Sequence, residues 1–180
     1  MAFGSNLEDK HLGSKKLIQT SYVALMDSIL THTTFSPFFQ TPAFPAGSGP
    51  DYVNSVVRAE TRLGPQDLLA ALHGVEKELG RVRQVRWGAR VIDIDILDYD
   101  GRILPSPEVY RKWRDMPLDL QKTTWPDDLI LPHPRLQDRG FVLVPLKTVA
   151  PTWVHPVTHT PIDTLLGRID SRELREIVQI

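Results

Sequence analysis

Apolar residues recur at helical spacing over residues 15–30, KKLIQTSYVALMDSIL, where Ile18, Tyr22, Leu25 and Ile29 fall on one face. The spacing predicts a helix with one buried side. Ahead of it, MAF leaves room for only a short strand before the turn-forming Gly4, Ser5 and Asn6. Residues 33–42, TTFSPFFQTP, are β-branched and aromatic and predict a strand ending near Pro42; AFPAGSGP, 43–50, reads as a loop. DYVNSVVRAETRL, 51–63, alternates in part and predicts another strand. The clearest helix is 65–79, PQDLLAALHGVEKEL. Pro65 suits a first helical position, Leu68, Leu69, Leu72, Val75 and Leu79 form the stripe, and Gly80 suits the stop. VIDIDIL, 91–97, alternates strictly and predicts a strand. Residues 100–128 are rich in proline and charge, and 105–127 reads as an inserted loop region. The spacing assigns no element to 131–151, and PIDTLLGRID, 161–170, predicts a last helix. The order strand, helix, strand, strand, helix, strand is that of a split βαβ unit. It predicts an α+β, ferredoxin-like sandwich: an antiparallel sheet with helices packed on it, in a single domain over 1–180.

Composition narrows the partners rather than the fold. The chain has 180 residues, 41% hydrophobic and 24% charged, with a net charge of −1. No global field draws nucleic acid or an anionic membrane, so any anion site must be a local cluster. There is no cysteine, hence no disulfide framework and no thiolate nucleophile or metal ligand. No apolar run is long enough to span a membrane. The expectation is a cytoplasmic monomer or weak dimer that binds small molecules.

Chemistry concentrates in RVRQVRWGARVIDIDIL, 81–97. In an extended strand Ile92, Ile94 and Ile96 share one face, and Asp93 and Asp95 share the other, about 7 Å apart. Paired carboxylates of this kind suit Mg²⁺, which takes one or two carboxylates together with substrate phosphates. Alone, the pattern more often describes an amphipathic strand with a wet polar face. Arg81, Arg83, Arg86 and Arg90 precede it with Trp87, and guanidinium forks bind phosphate oxygens at two points. A solvated basic loop is the alternative there, but adjacency of the two features favours phosphate plus metal over either. His133, between two prolines and near Arg135 and Arg139, is a further candidate phosphate contact. No GxxxxGK[ST] loop occurs.

Taken together, GSNL, TP…PDYVN, GRVR…RWGAR-V-IDIDIL and LPHPRLQDRGFVLVPL…AP resemble the 6-hydroxymethyl-7,8-dihydropterin pyrophosphokinase family of folate synthesis, in order over nearly the whole chain except 100–128. The resemblance implies a ferredoxin-like fold, ATP as co-substrate, two Mg²⁺ ions, and transfer of pyrophosphate to the pterin hydroxymethyl group with release of AMP. It implies Asp93 and Asp95 as metal ligands, and Arg81 and Arg90 as catalytic arginines on the transferred phosphates. Glu76, Arg83, Trp87, Ile96, His133 and Arg139 become ATP contacts. Thr41, Pro42, Phe44, Tyr52, Asn54 and Phe141 become the pterin site, with Tyr52 and Phe141 sandwiching the ring. The chain departs from the family pattern at Ala89, where proline is usual, in an arginine loop about one residue short, in a clipped first strand, and in the 105–127 insertion. Two other readings remain at this point: a different metal-dependent phosphoryl or nucleotidyl transferase, and a non-catalytic ferredoxin-like module.

Overall fold

A computed structural model describes residues 1–6, 12–43, 49–81, 91–121, 124 and 126–180. In chain order the elements are β1 (Ala2–Ser5), α1 (Leu12–Met26), β2 (Leu30–Phe35), β3 (Phe39–Thr41), β4 (Tyr52–Thr61), α2 (Pro65–Glu78) and β5 (Asp93–Asp95). They continue with α3 (Pro107–Asp115), α4 (Leu118–Gln121), a 3₁₀ turn (Leu136–Asp138), α5 (Gly140–Val149), α6 (Ile162–Leu166), α7 (Ser171–Glu176) and β6 (Val178–Gln179). The strands lie in the order β5-β1-β4-β3-β6, with β2 also paired to β4, and every pairing is antiparallel. This is the antiparallel open sheet with helices packed on it that the sequence predicts.

Period-two alternation sends β4 side chains to two cores. Val53 and Val57 join Phe3, Ile18, Leu25, Leu72, Ile92 and Ile94 beneath α1 and α2. Val56 faces the other way, into a second cluster with Leu97, Leu136, Val142, Leu143, Leu146, Ile162 and Leu165. Five of its members, Leu136, Val142, Leu143, Leu146 and Val149, come from the 131–151 segment to which the sequence pattern assigned nothing. Helix α5 carries Pro145 in its interior and is rich in β-branched residues, both of which argue against a helix locally. Burial of its apolar face against β4 overrides that preference.

Other boundaries differ for visible reasons. The helix expected over 15–30 is α1, ending at Met26, because Leu30 already pairs with Thr61 in the sheet. The single strand expected over 33–42 is two strands on one partner, broken at Ser36-Pro37. There the Ser36 hydroxyl accepts the Val56 N–H at 2.9 Å, and Pro37 has no donor to continue the ladder. Within 105–127, α3 is a capped helix: Ser106 Oγ accepts from Val109 N, and Tyr110 is fully buried with its hydroxyl 3.0 Å from His155 Nε2. Leu104 and Leu131 exchange backbone hydrogen bonds, at 2.9 and 3.1 Å, across the base of the insertion. Gly74 inside α2 has no packing explanation, since an added Cβ would meet nothing within 4 Å.

Candidate active site

Antiparallel register lays a polar row across the sheet face opposite α1 and α2. Asp93 pairs with Gly4, Gly4 with Asn54, and Asn54 with Phe39; one row along, Asp95 pairs with Ala2 and Ala2 with Val56. Residues directly opposite in antiparallel strands project to the same side. Asp93, Asp95 and Asn54 therefore share a face, while Ile92, Ile94 and Ile96 are each under 5% exposed in the opposite core. At Gly4 an added Cβ would stand 3.2 Å from Asn54 Oδ1, so the missing side chain leaves room for the amide beside it.

The charged end of this face is built by the way α2 stops. Gly80, at φ +90°, reverses the chain so that Gly80 N bonds Lys77 O and Arg81 N bonds Glu76 O, at 3.1 and 2.9 Å. These are the two hydrogen bonds of a Schellman stop. They fold Arg81 back over Glu76, and its guanidinium pairs with the Glu76 carboxylate and with Asp93 Oδ1, the latter at 2.6 Å. Glu76 is 1% exposed, and Oε1 also accepts the Ile94 N–H at 2.7 Å. The carboxylate thus takes the place of a neighbouring strand along the open edge of β5.

His133 reaches the same region because its N–H donates to Leu97 O at 2.8 Å, tying the PHPR segment to the chain just beyond β5. Its Nδ1 accepts from Arg135 N at 3.1 Å, which leaves Nε2 as the protonated, donating nitrogen. Desolvation of the ring, then the Arg139 guanidinium, push its pKa down to about 3, while Asp93 opposes them. His133 is neutral at ordinary pH. Leu136, fully buried, anchors the turn that follows, and Arg139 precedes α5 with its guanidinium 5.7 Å from the centre of the Phe141 ring.

The other end of the face is neutral. Asn54 Nδ2 donates to Thr41 Oγ1 at 2.8 Å, both residues are buried, and Thr41 pairs with Tyr52. Pro42 is exposed at the end of β3, and Phe141 is 36% exposed on the first turn of α5. The structure thus brings Glu76, Arg81 and Asp93 into one cluster, with His133 and Arg139 within electrostatic reach, and Thr41, Tyr52 and Asn54 into another. Ile96 stands apart. It is buried in the α1–α2 core and lines a cleft of about 780 Å³ with His32, Tyr99 and Trp153, a cleft that contains no other candidate residue. Phe44, Arg83, Trp87 and Arg90 lie outside the described residues. Sequence reasoning missed Gly80 as the device that aims Arg81, although glycine at a helix stop ahead of an arginine was there to be read.

The donors at β5 fit a hard divalent cation. They are carboxylate oxygens on one strand face, and the Arg81 guanidinium on Asp93 shows that this carboxylate already accepts a cation. Among the described residues no cluster of three or more metal-ligating side chains occurs.

Residues 1–151 match the family model for 7,8-dihydro-6-hydroxymethylpterin-pyrophosphokinase. The chain belongs to this family. It is 34% identical over 160 residues to the 2-amino-4-hydroxy-6-hydroxymethyldihydropteridine pyrophosphokinase of Haemophilus influenzae, covering 87% of this chain and 83% of that protein. It is 32% identical over 177 residues to the folic acid synthesis protein fol1 of Schizosaccharomyces pombe, covering 97% of this chain but only 21% of the relative. Some relatives are thus several times longer than this chain, and the Synechocystis pyrophosphokinase is matched over 52% of its length. Among solved structures, the wild-type HPPK-DHPS of Plasmodium falciparum superposes with a TM-score of 0.63 at 15% identity, over 99% of this chain and 46% of that one, a likeness of fold.

Proposed function

We propose that this chain transfers the β,γ-pyrophosphoryl group of ATP to the hydroxymethyl oxygen of 6-hydroxymethyl-7,8-dihydropterin, giving AMP and the pterin diphosphate in folate synthesis. The observation that carries the reading is the sheet register, which puts the Asp93 and Asp95 carboxylates on the same face as the buried Asn54 amide, with Asp93 and Asn54 in one row on either side of Gly4. An anionic substrate and a flat polar heterocycle would each meet matching chemistry there, next to one another. Asp93 and Asp95 would hold Mg²⁺, two ions by family likeness, and bound Mg²⁺ neutralises phosphate charge and favours the alkoxide form of a nearby hydroxyl.

The residues of the chain do the rest by placement. Arg81, held by Glu76, presents a guanidinium to phosphate oxygens beside Asp93, and Arg90 is proposed as its partner. His133 offers Nε2–H to a phosphate oxygen; being neutral with Nδ1 already occupied, it acts as a donor and not as a base. Arg139 adds positive charge on the same side. Arg83 and Trp87 are proposed to close over the nucleotide, and Glu76 serves it indirectly by holding Arg81. Ile96 can reach a nucleotide only through its main chain, since its side chain is committed to the core. On the neutral side Asn54 and Thr41, with Pro42 and Phe44, would read the pterin edge while Tyr52 and Phe141 cover its faces. In the transfer a bond forms from the hydroxymethyl oxygen to the β-phosphorus, the bond from that phosphorus to the α–β bridging oxygen breaks, and the hydroxyl proton passes to solvent.

The nucleotide product tests this directly. With ATP, Mg²⁺ and the dihydropterin, AMP should appear in step with the pterin diphosphate. ADP would mark attack on the γ-phosphorus, and free pyrophosphate attack on the α-phosphorus; either as main product overturns the reading. Absence of pterin-dependent turnover would favour a binding module. We further propose that the chain works in the cytoplasm as a monomer or weak dimer, as one domain over 1–180, without nucleic-acid or membrane partners.

A further inference from the structure

Residues 152–180 lie beyond the segment matched by the family model, yet the last of them touch both the start of α5 and β3. Helix α7 reaches the start of α5, where Gly140 N donates to Glu173 Oε1 at 2.9 Å. The approach is possible only because residue 140 has no side chain: a Cβ there would lie 2.6 Å from Glu173 Oε1, 3.0 Å from Ile177 Cδ1 and 3.2 Å from Ile169 Cγ2. A carboxylate in this place satisfies an otherwise orphaned amide and complements the positive end of the α5 dipole. Two residues after α7 ends at Glu176, the chain joins the sheet. Strand β6 pairs Val178 with Gln40 and Gln179 with Phe39, and Ile180 N donates to Phe38 O at 3.0 Å. One short segment therefore grips α5 at the residue beside Phe141 and grips β3 at the strand that ends in Thr41.

We propose that α7–β6 is a strap that fixes the spacing between the two walls of the pterin site, with Glu173 as its positioning residue. The proposal rests on the pterin reading given above. Glu173 touches no substrate; it acts through Gly140 on Phe141, while β6 holds the Thr41 wall. A carboxylate that merely capped a helix would affect stability alone. A strap also affects how well a rigid, flat ligand is clasped, because a site that must find its own spacing spends binding energy on ordering.

The test measures dihydropterin affinity in the full chain with Mg²⁺ and a non-hydrolysable ATP analogue held saturating, alongside urea unfolding. Glu173→Ala should weaken pterin binding about tenfold, the scale of one lost charge-assisted hydrogen bond. Glu173→Gln keeps an oxygen acceptor for Gly140 N and should restore near wild-type affinity. Ile180→Pro, which deletes the donor to Phe38 O, should weaken pterin binding in the same direction from the other anchor. Wild-type pterin affinity in both Glu173→Ala and Ile180→Pro, whatever their urea midpoints, would overturn the strap. A wild-type chain that binds no dihydropterin would instead overturn the underlying assignment, an outcome separate from the first.

Discussion

The two ends of the site face are held by different forces. At the β5 end, Glu76, Arg81 and Asp93 fix one another by charge, over a buried carboxylate that also ties down a strand edge. At the β3 end, Asn54 and Thr41 are held by a neutral hydrogen bond and by burial. The charged end is arranged around opposite signs, with Asp93 already paired to a guanidinium, so that a polyanion and its cations bound there would have to rearrange them. The neutral end is preformed. Catalysis of phosphoryl transfer depends on positioned charge, whereas recognition of a heterocycle depends on fixed donors and acceptors.

The sharpest way to break this contrast is at the carboxylates. Asp93→Ala and Asp95→Ala should each lower turnover about a thousandfold or more, in line with the loss of charge stabilisation in the transition state. Pterin binding should be retained in both. Equal losses of turnover and pterin affinity would mean that the two ends are not separable.

Next in size is Glu76→Leu. It leaves Ile94 N–H without its acceptor and Arg81 without its buried partner, and should cost about 3 kcal/mol of stability. Urea unfolding measures the loss. A cost near zero would show that the carboxylate is not what seals the β5 edge.

His133 gives the contrast a pH signature. Its pKa is depressed in the folded chain, from an ordinary 6.5 to about 3, so between those values the unfolded chain binds the extra proton. The neutral ring therefore contributes stability that is fully present above pH 6.5 and is lost as pH falls toward 3. His133→Gln should flatten the decline in stability over that window relative to wild type. Parallel stability curves for the two proteins from pH 7 to 4 would refute the assignment. Opposite the charged end, Asn54→Ala should weaken dihydropterin binding about tenfold, as expected for a lost buried hydrogen-bonding group, and leave turnover at saturation little changed. A fall in turnover with normal pterin affinity would place Asn54 with the charged end instead.

How far this division could be read in the chain depends on the kind of pattern each part carries. The alternation of VIDIDIL puts its isoleucines and aspartates on opposite faces whatever surrounds it, and the structure keeps them there. The stripe and stops of α2 are local as well, so its ends match at Pro65 and Gly80. Pairing across the sheet is not local: nothing in TTFSPFFQTP announces that β2 and β3 share β4 with a break at Ser36-Pro37. Helix α5 and the α7–β6 segment owe their conformation to what they pack against. The family resemblance implies Glu76 as a nucleotide contact, but only the fold shows its carboxylate bonded to Arg81 and to the β5 edge.

The smallest predicted effect on activity concerns the insertion, which belongs to neither end. Tyr110 is its anchor: it is fully buried, and its hydroxyl meets His155 Nε2 at 3.0 Å. His155 Nδ1 accepts from Val157 N at 3.1 Å and from Thr158 N at 3.3 Å, so the ring donates from Nε2 and the tyrosine oxygen accepts. Burial, the largest influence, lowers the His155 pKa and so favours the neutral ring. Tyr110→Phe removes the acceptor while preserving the ring and its packing, and leaves one buried N–H unpaired. The cost should be about 1–2 kcal/mol in urea unfolding. Because Tyr110 ties α3 to the 153–160 segment, turnover, ATP KM and pterin KM should all stay near wild type. A rise in ATP KM would instead place α3 on the nucleotide, and would extend the charged end of the site across the insertion.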